Sequence, residues 1–125
     1  MNHIELDHFG VDVSDLERAE RFYVETLGLE VAHRFGRHQV LLHCGGQMLA
    51  LFARTDLPPR PVDRIENPLG KGHHAFKVPW DDFQTMRARF AAHGVPTHGP
   101  IDWGDHDCLY FLDPDGNLLE LVAYR

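Results

Sequence analysis

The chain has few cysteines, no long apolar run and no basic stretch, and each shortage excludes a class of protein. Two cysteines among 125 residues, Cys44 and Cys108, cannot build a disulfide framework and suit a reducing compartment. No apolar run approaches the ~18 residues of a membrane-spanning helix, so no membrane association is expected. Met1-Asn2-His3-Ile4-Glu5 carries neither a basic leader nor an apolar core, which predicts a cytoplasmic chain without a signal peptide. Lys and Arg number 12 against 19 Asp and Glu, a formal charge of −7, and the basic residues are scattered. Nucleic acid is therefore not an expected partner.

What remains is 43% hydrophobic and 25% charged, the balance of one globular domain spanning 1–125. Histidine is the excess, at 10 residues. One small domain rarely needs more than a few in a site, so position has to decide which of them do chemistry.

The chain repeats itself. Ile4 to Val13 is β-rich, Ser14-Asp15-Leu16-Glu17, with Ser14 as the cap and Glu17 at the third helical position, opens an amphipathic helix through Phe22, Tyr23 and Leu27, and Gly28 stops it. Strands follow over Leu29 to Phe35, Gln39 to His43 and Gln47 to Ala53, the last two joined at Gly45-Gly46. The second half runs in the same order: a strand over Gly72 to Val78, a helix opened by Pro79-Trp80-Asp81 and stopped by Gly94, then strands near Val95, Cys108 to Leu112 and Asn117 to Ala123. Asp113-Pro114-Asp115-Gly116 is a tight turn. Asp7 to Val13 aligns with Gly72 to Val78 at an offset of 65, and Gly46 to Leu51 with Gly116 to Leu121 at an offset of 70. That is a duplicated module. The predicted fold is α+β: two βαβββ modules, about 1–53 and about 72–125, in pseudo-twofold pairing, with curved mixed sheets forming a metal-binding cleft. The stretch between them, about 54–71, holds prolines 58, 59, 61 and 68 and reads as a lid, a partner contact or a plain connector.

The repeat singles out a constellation. His8 and His73 occupy equivalent places in the two first strands. Glu120 lies between Leu119 and Leu121, and strand alternation puts it on the opposite face, with Leu118 and Val122. A carboxylate there is costly to desolvate unless a cation offsets it. Two imidazoles and one carboxylate suit a borderline divalent ion with positions left open, the form of a catalytic site. Ala50 occupies Glu120's place in the first module and cannot ligate, so three protein ligands are expected. His74 falls on the more apolar side of its strand, with Phe76 and Val78.

These residues resemble the vicinal oxygen chelate superfamily, which includes glyoxalase I, extradiol dioxygenases, fosfomycin-resistance transferases and bleomycin-resistance proteins. The resemblance runs through Asp7-His8, Ser14 to Ala19, Phe22-Tyr23, Leu27-Gly28, Gly72-His73 and Tyr110 to Glu120. It implies a metal at His8, His73 and Glu120 that chelates two adjacent oxygens of a small-molecule substrate. Ala50 stands where metal-dependent glyoxalase I has a second glutamate. Thr97 to Trp103 lacks the lysine that fosfomycin transferases place there, and bleomycin-binding members generally have no metal site. Dioxygenase-like ring cleavage is the favoured activity, with a thiol or epoxide transferase and a metal-free binding protein as alternatives. By resemblance Fe(II) is the favoured ion, with Mn(II), Ni(II) or Zn(II) accepted by the same donors. Tyr110 bonds the substrate oxygen, His106 is a candidate acid or base, and a homodimer is expected.

Overall fold

A computed structural model describes residues 3–58 and 64–125. Met1-Asn2 of the predicted leaderless start and residues 59–63 of the predicted linker lie outside the described residues. The chain forms two compact units, Met1–Pro59 and Arg60–Arg125. Among the described residues no helix is long and apolar enough to cross a membrane.

The first unit contains β1 (His8–Val13), α1 (Leu16–Arg21) with a π-helical turn over Phe22–Thr26, β2 (Glu30–Phe35), β3 (Gln39–Cys44) and β4 (Gln47–Ala53). The second repeats it: β5 (His74–Lys77), a 3₁₀ turn over Trp80–Asp82 leading into α2 (Phe83–Ala92), β6 (Thr97–Asp102), β7 (His106–Leu112) and β8 (Leu118–Tyr124). Each unit builds one four-stranded mixed sheet, in the orders β1-β4-β3-β2 and β5-β8-β7-β6. In each, the first strand runs parallel to the last and the other pairs are antiparallel. Gly28 and Gly94 end the helical segments at φ 92° and 69°, the left-handed region that a side chain disfavours.

The duplication extends to the register. Phe9 pairs with Leu49 and Gly10 with Ala50 in the first sheet, and His74 pairs with Leu119 and Ala75 with Glu120 in the second. The sequence offsets of 65 and 70 are therefore the same hydrogen-bonded ladder built twice. Fully buried Ala50 takes the slot that Glu120 fills in the second unit.

Three details differ from the sequence reading. The first strand begins at His8 rather than Ile4. The helix is capped by Asp15 rather than Ser14: the Asp15 carboxylate accepts the Arg18 N–H at 3.1 Å, while Ser14 Oγ accepts from Arg18 Nη2 at 3.0 Å. A carboxylate at a helix start also gains from the helix dipole, which the hydroxyl does not. The strand expected near Val95 is Thr97–Asp102, where a register shift between His98 and Ile101 hides the alternation. Gly99, at φ 121°, leaves no room for a Cβ there, which would lie 3.2 Å from the Cys108 carbonyl oxygen.

In the second unit Phe83, Met86 and Phe90 of α2 are buried together with Phe76, Leu109, Phe111, Leu119 and Leu121. The Phe90 and Phe111 rings sit 4.6 Å apart. Alternation turns the other set, Cys108, Tyr110, Leu118, Glu120, Val122 and Tyr124, to the opposite face of the sheet. That face is the one with chemistry on it. Part of the predicted linker packs here as well: Ile65 lies against Cys108, Tyr110 and Val122, and Pro68 is fully buried.

Candidate functional site

Strands β7 and β8 set Tyr110 directly opposite Glu120, and β5 sets Ala75 on Glu120's other side. His73 immediately precedes β5 and reaches the same place. Its Nε2 lies 3.4 Å from Glu120 Oε1, and its ring meets Tyr110 edge-on at 5.3 Å. Glu120's side chain is 13% exposed and His73's 27%, so both are largely withdrawn from water yet reachable. Beside them lies an apolar floor of Cys108 and Val122, flanked by Ile65, Ile101 and Leu118.

The histidine tautomers are set by their neighbours. His73 Nδ1 lies 2.7 Å from the Lys71 carbonyl oxygen, which can only accept, so Nδ1 donates there and Nε2 is the nitrogen turned toward Glu120. His8, at the start of β1 in the first unit, has Nδ1 2.7 Å from Asp7 Oδ2 and is oriented by that carboxylate in the same sense. An acceptor on one ring nitrogen, leaving the other free, is how metal-binding histidines are usually held. Imidazole nitrogen and carboxylate oxygen, the donor types that His73 and Glu120 bring together, are those a borderline divalent cation takes. Among the described residues, no group of three or more His, Cys, Asp or Glu side chains converges. His73 and Glu120 are brought together within the second unit, and His8 is carried by the first.

Electrostatics mark the same patch. Burial, reinforced by the charge of Glu120, raises the Tyr110 phenol above its ordinary pKa, so it stays a hydrogen-bond donor. Burial pushes the Cys108 thiol up to about 11, with Glu120 adding to the rise and the Trp103 N–H opposing it. Cys108 is thus a thiol at neutral pH, accepting from Trp103 Nε1 at 3.2 Å. His74, the neighbour of His73, has its pKa lowered by desolvation first and by His73 second.

His106 is placed elsewhere. It precedes Tyr110 by four residues of one strand, about 13 Å along it. Its Nδ1 is held by Asp105 Oδ1 at 2.5 Å, and its ring packs against Tyr124 at 5.0 Å. The histidine that does stand opposite Tyr110 is His98 on β6, with ring centroids 6.4 Å apart. Sequence reasoning missed His98 because only the register across the Gly99-Pro100 irregularity brings it there. Trp103 and Cys108 were missed for a similar reason, since five residues separate them and a turn folds one back onto the other.

Known proteins resemble this chain along nearly all its length. A family model described as Glyoxalase/Bleomycin resistance protein/Dioxygenase superfamily matches residues 5–121. The chain is 34% identical over 119 residues to a glutathione transferase, FosA of Serratia marcescens, covering 93% of this chain and 78% of that protein. It is 31% identical over 121 residues to the catechol-2,3-dioxygenase of Bacillus subtilis strain 168, covering 90% of this chain but only 39% of that enzyme. Among solved structures, a lactoylglutathione lyase from Agrobacterium tumefaciens matches with a TM-score of 0.74 at 28% identity, over 95% of this chain and 92% of that one. A glyoxalase/dioxygenase from Nostoc punctiforme matches with a TM-score of 0.80 at 22% identity, over 97% and 91%, a likeness of fold alone.

Proposed function

The chain belongs to the glyoxalase/bleomycin resistance protein/dioxygenase superfamily, the vicinal oxygen chelate proteins, and on that premise we propose that it is a divalent-metal-dependent enzyme acting on a small oxygenated substrate. The single observation that carries this reading is the approach of His73 Nε2 to Glu120 Oε1 at 3.4 Å, with the opposite nitrogen of His73 already occupied. His8, His73 and Glu120 would hold the ion, with Fe(II) favoured over Mn(II), Ni(II) or Zn(II). Bound there, the ion would supply Lewis acidity to the substrate's oxygens.

The chain's own groups do the rest. The Tyr110 phenol donates to a substrate oxygen beside Glu120 and stabilises charge developing on it. His98 stands nearer than His106 to accept or return a proton on that side. Buried Cys108 and Val122, with Ile65 packed against them, give this side of the sheet apolar surroundings. Dioxygenase-like ring cleavage of a catechol-type diol is the favoured reaction, supported by the 31% identity to the Bacillus catechol-2,3-dioxygenase. Tyr110→Phe is expected to lower kcat about 100-fold while leaving metal content unchanged, by steady-state kinetics and elemental analysis on the same preparation.

A second reading, thiol transfer to an electrophilic epoxide, is supported by the 34% identity to the Serratia transferase. A cationic substrate pocket would strengthen it. Arg34, one of the few candidates, is engaged by Glu20 through bonds of 2.8 and 3.1 Å. Protein reconstituted with Fe(II), and separately with Mn(II), Ni(II) or Zn(II), should be assayed for oxygen uptake with catechols and for glutathione consumption with epoxides. Oxygen uptake with Fe(II) is the expected result. Glutathione consumption without oxygen uptake would replace ring cleavage by transfer. We propose a homodimer as the working assembly; light scattering should return twice the 14.3 kDa chain mass.

A further inference from the structure

The open face of the second unit continues past Glu120 into a groove of about 290 Å³ lined by Lys77, Val78, Pro79, Trp80 and Tyr124. Lys77 pairs with Val122, two residues beyond the Ala75–Glu120 pair, so it shares Glu120's face about 7 Å further along the strand. It is one of two lysines in a chain of net charge −7. Even so, its ammonium makes no ion pair or hydrogen bond among the described residues. The neighbouring cation is committed: Arg125 donates to Asp107 Oδ1 and to the Gly104 carbonyl oxygen, each at 2.8 Å.

Two aromatic side chains line the same groove as Lys77. The Arg125 guanidinium lies 4.7 Å from the Trp80 ring centre and braces the indole, which remains 41% exposed. Tyr124, 52% exposed, leans on His106, whose ring stacks in turn on Trp103 at 6.5 Å and 21°. A groove lined by an ammonium, an indole and a phenol is complementary to a planar ring carrying a negative group. The ring packs on indole and phenol, and the carboxylate accepts from the ammonium.

We infer that this groove binds the carboxylate-bearing end of a planar organic anion. The substrate class of the face is then an arene whose carboxylate lies several ångströms from the oxygens presented at Glu120; this last step rests on the metal-dependent reading above. The test is calorimetric titration of the metal-free protein with 3-phenylpropionate and with its uncharged analogue 3-phenylpropan-1-ol. The acid should bind about tenfold or more tightly than the alcohol. Lys77→Gln should abolish that preference, Lys77→Arg should keep it, and Glu120→Ala should leave it unchanged. Equal binding of acid and alcohol, no saturable binding of the acid, or an unaltered preference in Lys77→Gln would overturn the inference. Because Glu120→Ala removes the proposed metal ligand and spares the groove, the two ideas fail separately. Metal retained in Glu120→Ala counts against the metal site alone, and an anion preference indifferent to Lys77 counts against the groove alone.

Discussion

Replacing Glu120 by alanine is expected to take bound metal from near-stoichiometric to background and to abolish turnover, while the protein stays folded. Glu120 is the one anionic donor of the proposed set, and its loss leaves two neutral imidazoles to hold a doubly charged ion. Deleting a mere supporting partner of a ligand typically costs 10–100-fold in affinity, so deleting the ligand itself should cost about 100-fold or more. A second readout does not depend on activity. An ion present at about 100 times its dissociation constant stabilises the folded state by about 2.7 kcal/mol. The wild type should therefore melt higher with the ion than without, and the variant should show no such difference. In the metal-free state the alanine relieves the desolvation of a carboxylate only 13% exposed but removes the acceptor beside Tyr110, Cys108 and His73, so the two effects oppose one another. Equal metal content in the two proteins, measured by elemental mass spectrometry after anaerobic purification, would refute the assignment.

The second large effect is on stability. Asp113→Ala should destabilise the fold by about 3–5 kcal/mol, read as a lower midpoint in urea at unchanged slope. Asp113 is 3% exposed, and its carboxylate accepts from the Asp115 N–H at 2.9 Å, the Asn117 N–H at 2.8 Å and Asn117 Nδ2 at 2.8 Å. Alanine would take the carboxylate acceptor from these buried and part-buried donors, and each hydrogen bond to a charged group contributes about 1.5–3 kcal/mol. Relief of the carboxylate's own desolvation keeps the total below the sum. Asp113→Asn, which retains an acceptor oxygen, should lose about half as much. A loss below about 1 kcal/mol for the alanine variant would show that the turn is held by its backbone alone.

The two predictions are connected through register. The Asp113–Asn117 turn joins β7 to β8 and decides that Tyr110 faces Glu120 and Leu112 faces Leu118. A slip of one residue would send Glu120 to the α2 side and Leu119 or Leu121 to the open face. Residual Asp113→Ala protein that remains folded should therefore keep its metal affinity only if the register survives.

Much of this was legible in the sequence because it is local or periodic. Helix stops at Gly28 and Gly94, the turn at Asp113 to Gly116 and the alternation around Glu120 depend on neighbours within a few residues. The duplication was legible as well, since the offsets of 65 and 70 reappear as the matched pairs Gly10–Ala50 and Ala75–Glu120. Asp15 displacing Ser14 as the cap was a choice between adjacent acceptors that composition does not decide.

Beyond that range the sequence was silent, and for one physical reason. The pairing of residues on different strands depends on where each strand enters the ladder, and an irregularity in one strand resets every later pair. The shift at Gly99-Pro100 brings His98 to Tyr110, and the fold of β7 leaves His106 among Trp103, Asp105 and Tyr124. By itself the sequence determined the family, the duplicated module and which residue types were available for chemistry. Tertiary structure alone decided that Lys71 orients His73, that Trp103 bonds Cys108 beside Glu120, and that Lys77, Trp80 and Tyr124 line one groove. Those contacts are set by distances across strands and turns, which the spacing of residues along the chain does not encode.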